Sequence, residues 1–271
     1  MAKVAVVVTH GMGSQGPDFD QDFKDKLFAR LERLGADTAD VAWQSIYWAP
    51  VMETAQNNYL LSAGGAVGGF FGLREFVVRA LGDAAGYSAT SGSPDSSYTK
   101  IHDLVRSGIA NLYHNKLAGN PVPMIIMAHS LGGHIMSNYI YDTQAPLSAT
   151  GAAPDASGFE KMDWLAGIVT FGCNIPLFTF AYDPITPIQF PSPTLPPEVK
   201  AKAKWLNFFD KQDVLGYPLK PINAAYNTIV DEDTRIDAGW WPVSTTPLSH
   251  TRYWTDRSLI NPAAEFLNTF L

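Results

Sequence analysis

Short runs of consecutive apolar residues alternate along the chain with longer stretches in which apolar positions recur every three or four residues. Residues 4–9 are almost wholly apolar, the pattern of a strand buried on both faces. Phe19, Phe23, Leu27, Leu31 and Leu34 then recur at helical spacing behind Asp18, a candidate cap. Residues 41–48 read as a second strand. Asp95, Ser96 and Ser97 are candidate caps for a helix whose apolar face is Ile101, Leu104, Val105, Ile109 and Leu112. That helix leads through Pro121 and Pro123 into an apolar run from Met124, which is followed by a helix carrying Ile135, Met136, Tyr139 and Ile140. Residues 167–172 and 204–209 read as strands, and 235–241 as the last one, because Pro242 and Pro247 punctuate the next segment. Asn261 as cap and Pro262 at the first helical position predict a closing helix with Ala263, Phe266, Leu267 and Phe270 on one face. Strand alternating with helix from end to end predicts an α/β fold, a mainly parallel sheet with helices on both faces.

Two segments break the alternation. Residues 49–94 form a Gly- and Ala-rich insertion, and residues 174–197 a proline-rich loop bearing Leu177, Phe178, Phe180, Tyr182, Ile185, Ile188 and Phe190. Both follow predicted strand ends, where ligand crevices of open α/β sheets form, so both are candidates for the roof of a substrate site. The longest apolar stretch, 60–73, is shorter than the ~20 residues of a spanning helix. It reads as a close-packed helix or cap segment, and as a mobile lid or membrane-surface contact in a sharper reading.

At 271 residues, 46% of them hydrophobic, the chain suits a single α/β domain with insertions. A net charge of -7 argues against nucleic-acid binding, which needs a basic face for phosphates. The single cysteine, Cys173, excludes an intramolecular disulfide. The N-terminus runs directly into strand without a cleavage-site pattern, so the expectation is a cytoplasmic protein. Composition leaves the oligomeric state open.

The apolar run at Met124 passes through Ala128-His129-Ser130-Leu131-Gly132 and resumes as a helix. A serine on such a turn sits in a strained backbone conformation, and the positions two before and two after it must be small. Those positions are Ala128 and Gly132. The segment resembles the nucleophile elbow of the α/β-hydrolase superfamily, in the Ala-His-Ser-x-Gly form carried by some lipases. The resemblance runs from Val4 to the C-terminal helix and implies an α/β-hydrolase fold with a cap or lid insertion at 49–94. The family's two strands ahead of the first one here are missing, which implies a compact version.

A serine hydroxyl needs a base within hydrogen-bond reach and a third group to orient that base. Of six histidines, His10 lies in the loop after the first strand, His129 on the turn itself, His134 inside the following helix, and His102 and His114 on a helix ahead of the nucleophile strand. His250, in a loop before the last helix, remains, and it stands where the resemblance places the base. The chain order of the family, Ser then Asp then His, puts the acid in the loop after residues 204–209. Asp213 matches better than Asp210, which can instead fix the turn by bonding its own backbone; Asp231, Asp233 and Asp237 are outside candidates. Thr9-His10-Gly11-Met12-Gly13 resembles the family's oxyanion loop and implies the amide of Met12 as one donor, with that of Leu131 as the other. No Gly-Lys-Ser/Thr follows that loop, the dinucleotide spacing fails, and His-Glu-x-x-His is absent, so no cofactor and no metal are expected. The implied activity is cleavage of small carboxylic esters with an apolar acyl group, lipase- or esterase-like. Acyl transfer or thioester cleavage on the same three residues, and a non-catalytic binding protein of this fold, are the alternatives.

Overall fold

The computed structural model describes residues 1–13, 16–64, 66, 73–87, 93, 95–144, 156–238 and 247–271. Among these, the strands are β1 (Val4–Thr9), β2 (Val41–Ile46), β3 (Met124–His129), β4 (Leu165–Phe171), β5 (Lys204–Asp210) and β6 (Glu232–Ile236). They form one sheet in the order β2-β1-β3-β4-β5-β6. Each pairing is parallel, so all six carboxyl ends share one edge. The helices are α1 (Gln21–Arg33), α2 (Pro50–Ala63), α3 (Leu73–Tyr87), α4 (Ser97–Asn111), α5 (Leu131–Gln144), α6 (Ile175–Thr179), α7 (Pro197–Lys200), α8 (Ala224–Ile229) and α9 (Arg257–Asn268).

Successive strand residues point into two separate cores, as the period of two requires. Ala5, Val7, Met124, Ile126 and Ala128 meet Ile101, Val105 and Ile109 of α4 and Ile135 and Met136 of α5. Val4, Val6, Val8, Ile125 and Met127 meet Phe23, Leu27 and Leu31 of α1 and Leu259, Ala263 and Leu267 of α9. A strand covered on both faces has no position for a polar side chain, hence the uninterrupted apolar runs of β1 and β3. The sheet and its two helical layers are the predicted α/β fold.

Several boundaries differ from expectation for identifiable reasons. The last strand is Glu232–Ile236, not 235–241, of which 239–241 lie outside the described residues. β6 is an edge strand whose first four residues are exposed or half-buried, so its polar sequence hides it. The closing helix starts at Arg257, where Asp256 accepts from the Ser258 amide at 2.7 Å, and Pro262 lies inside it. One lost backbone bond is offset by the buried face of Leu259, Ile260, Ala263, Ala264, Phe266 and Leu267. α1 starts after Asp20 rather than at Asp18, and Asp20 turns inward to accept from Trp43 Nε1 (2.7 Å) and Ser45 Oγ (2.6 Å). β2 stops at Ile46, because the chain turns there to stack Trp48 on His10. Leu104 is partly exposed rather than core.

The 49–94 insertion contains α2 and α3, while 65 and 67–72 of the apolar stretch lie outside the described residues. The 174–197 loop contains α6 and sends Ile188 and Phe190 into the core, leaving Phe180 and Tyr182 exposed. Among the described residues no helix is long and apolar enough to cross a membrane.

Candidate active site

Ser130 follows β3 and precedes α5 with no spacer, in a left-handed conformation (φ 51°) that costs a non-glycine residue about 1–2 kcal/mol. Its amide donates to Phe171 O at 3.0 Å and its carbonyl accepts from Gly133, which holds the strained turn between β4 and α5. A Cβ on Gly132 would lie 2.5 Å from the His10 carbonyl oxygen, so this position tolerates no side chain. Ala128, two residues before the serine, is fully buried in the core, and its methyl is accommodated there.

Pairing of Thr9 with Ala128 sets the next element. Continued past the strand ends, that register brings the β1 loop alongside the serine: a Cβ on Gly11 would sit 2.6 Å from Ser130 Cβ and 3.2 Å from its Oγ. Met12 follows, its side chain packed on the core. Leu131 is the first residue of α5, so its N–H has no acceptor within the helix and lies at the electropositive helix end.

His250 arrives from a 3₁₀ turn, Pro247–Thr251, after β6. Its Nε2 lies 2.8 Å from Ser130 Oγ, and its Nδ1 lies 2.8 and 2.9 Å from the two Asp213 oxygens. A carboxylate only accepts, so Nδ1 carries a proton and Nε2 turns its lone pair to the serine hydroxyl. Asp213 also accepts from Tyr253 Oη at 2.9 Å and from the Leu215 amide at 2.9 Å. Ser130, Asp213 and His250 are all buried, which excludes bulk water from these bonds.

Asp210 has a different role: it accepts from the amides of Gln212 and Ala238, each at 2.7 Å, and shapes the turn. Asp231 accepts from the Trp205 amide, Asp233 from Asn207 Nδ2 and the amides of Leu219 and Lys220, and Asp237 is exposed. The carboxylate that meets His250 is that of Asp213.

Two buried histidines brace the site. His10 donates through Nδ1 to Gly11 O at 2.7 Å and accepts at Nε2 from the Trp48 and Ala49 amides, and burial lowers its pKa to about 4. His129 points away from the Ser130 hydroxyl and donates from Nε2 to the carbonyl of His250 at 2.8 Å. That oxygen can only accept, so the tautomer is fixed. Burial holds the His129 pKa well below its ordinary value. His134 stacks on Phe178 at 3.9 Å, His102 bonds Tyr87 Oη at 2.7 Å, and His114 lies beyond α4 in the turn Leu112–Lys116.

Sequence reasoning passes over Tyr253 and the role of His129. Tyr253 stands three residues after His250, at the start of a second 3₁₀ turn, Tyr253–Thr255, that follows Pro247–Thr251. Nothing in the sequence signals that the ring of His129 meets a backbone carbonyl 121 residues away. Among the described residues no group of three or more His, Cys, Asp or Glu side chains is arranged to hold a metal ion.

No protein-family model and no curated protein matches the chain. Several solved structures are similar to it, three of them as follows. One is a Pectobacterium atrosepticum protein inferred to be a YdeN-like hydrolase: 13% identity, TM-score 0.46, covering 99% of this chain and 93% of that one. A Thermoplasma acidophilum protein inferred to be a CIB-like hydrolase is 12% identical at TM-score 0.41, covering 98% and 86%. TT1662 of Thermus thermophilus is 11% identical at TM-score 0.42, covering 99% and 89%.

Proposed function

We propose that the protein is a serine hydrolase of small carboxylic esters with an apolar acyl group, working without a cofactor. The observation that carries this is the continuous hydrogen-bonded line from Asp213 through His250 to Ser130 Oγ, with the serine held at positive φ beside a glycine loop. Structural serines have no need of a lone pair aimed at their hydroxyl by an oriented imidazole.

In this reading Ser130 Oγ attacks the ester carbonyl carbon as its proton passes to His250 Nε2. The imidazolium that forms is stabilised by Asp213. Negative charge collects on the former carbonyl oxygen, opposite the amides of Met12 and Leu131, each worth about 3 kcal/mol to the transition state. Collapse expels the alkoxide, which takes the proton from Nε2 and leaves an acyl-serine. Water then attacks the acyl carbon, gives its proton to His250 and returns Ser130 to its starting state with release of the acid.

Hydrolysis of p-nitrophenyl esters by the intact protein and by Ser130→Ala tests the proposal. Turnover lost in the variant supports it, and wild-type turnover in the variant removes it.

A further inference from the structure

The loop from Thr9 to Gly13 is fastened at its near end by the junction that leads into the 49–94 insertion and at its far end by the insertion itself. At its near end, His10 receives the Trp48 and Ala49 amides on Nε2, and its carbonyl receives Trp48 Nε1 at 3.1 Å, which ties the loop to the root of α2. At its far end the Gly13 amide donates to Asp83 Oδ2 at 2.8 Å, and Asp83 belongs to α3. The second Asp83 oxygen accepts from Gln56 Nε2 of α2 at 2.6 Å, and the same amide nitrogen reaches Arg79 O at 3.4 Å.

Asp83 is 2% exposed, and burial raises its pKa against the opposing effect of these donors. A carboxylate taken out of water is costly unless its oxygens are bonded, so its presence here calls for a reason. α2 and α3 are packed to hold it. A Cβ on Gly86 would lie 2.3 Å from Met52 Cε, and one on Gly82 would lie 3.1 Å from Gln56 Nε2. Gly82 and Gly86 are one turn apart, as are Met52 and Gln56, so α2 lays two side chains into a glycine notch of α3. Gln56 is thereby aimed at Asp83.

We propose that Asp83 is a positioning residue that holds the Gly11-Met12-Gly13 loop against Ser130 from the insertion side. This rests on the serine-hydrolase reading for its catalytic consequence, since the Met12 amide lies one residue from the tied Gly13. The insertion then completes the oxyanion site through backbone, without touching substrate through Asp83.

Asp83→Ala removes both acceptor oxygens, so the Gly13 amide and Gln56 Nε2 both lose their partner. Gln56→Ala loosens the same carboxylate while leaving Asp83 in place. With p-nitrophenyl acetate, kcat falls about 10- to 100-fold in Asp83→Ala while KM stays within about twofold, because displacing a transition-state donor does not weaken ground-state binding. Gln56→Ala shows the same split to a smaller degree. Amide hydrogen exchange at Gly13 speeds up in both variants, with exchange in β1 and β3 unchanged. Wild-type kcat in Asp83→Ala, or a Gly13 amide that exchanges as slowly as before, overturns the proposal. Should Ser130→Ala keep wild-type turnover, the nucleophile reading fails separately, and the Gly13 exchange rate still decides whether Asp83 ties the loop.

Discussion

Acidification is expected to destabilise this protein through three buried histidines held neutral. Burial lowers the pKa of His10 to about 4 and that of His134 to about 3, and holds His129 well below its ordinary value. Each titrates near 6.5 in the unfolded chain. Above that pH neither state binds the proton, and stability is unaffected. As pH falls through 6.5, the unfolded chain takes up protons that the folded state refuses. Each group then costs about 1.4 kcal/mol per pH unit until its folded value is reached. Near pH 5 that amounts to roughly 2 kcal/mol each for His10 and His134 and about 4 kcal/mol for the two, with His129 adding in the same direction, against a total stability of about 5–15 kcal/mol for a typical domain. Urea unfolding at about pH 8 and pH 5 measures the loss. Carboxylates also titrate on the way down, so the discriminating variant is His134→Phe, which keeps an aromatic ring on Phe178 and gives up the contact with Asn138 Nδ2. Its stability difference between the two pH values should be smaller than that of the intact protein by about 2 kcal/mol. An unchanged pH dependence in His134→Phe would show that this histidine is not held neutral by burial.

Other residues give distinct signatures. Asp213→Asn should lower kcat by about 10⁴-fold, because the amide no longer fixes the His250 tautomer. Asp210→Asn should instead lower the unfolding midpoint, with kcat within about tenfold, since it disturbs amides and not His250; esterase kinetics and thermal melts on the pair separate the two carboxylates. Tyr253→Phe removes a donor from Asp213 and leaves the buried Asp210 amide without its acceptor, so a loss of about 1–3 kcal/mol by urea titration is expected together with reduced kcat. His129→Phe should reduce kcat at unchanged KM, and His129→Gln, which can still donate to the His250 carbonyl, should recover part of it.

Much of the site is legible in the sequence because strand ends in a parallel sheet all lie on one edge. Once β1, β3, β5 and the segment before α9 are recognised, the loops bearing His10 to Gly13, Ser130, Asp213 and His250 have to converge. The apolar runs of β1 and β3 are plain because both faces are covered. β6 is misplaced because an edge strand keeps polar residues, and Asp233 spends its carboxylate on loop amides rather than on any sequence-local pattern. Chain order admits Asp213 and Asp210 alike, since both are short carboxylates in one turn between Ser130 and His250, and only tertiary packing of Tyr253 and Ala238 separates them. Asp83 is invisible for a related reason. Its partners are a backbone amide 70 residues away and a side chain on another helix, and neither leaves a periodic trace.

The proposed chemistry stands or falls on Ser130 being a nucleophile activated by His250. Intact-protein mass spectrometry after brief exposure to a fluorophosphonate at neutral pH reads this out. One covalent adduct is expected, located on Ser130 by peptide mapping and absent from Ser130→Ala, with labelling slowed strongly in His250→Ala. An unlabelled protein, or an adduct formed equally in Ser130→Ala, contradicts it.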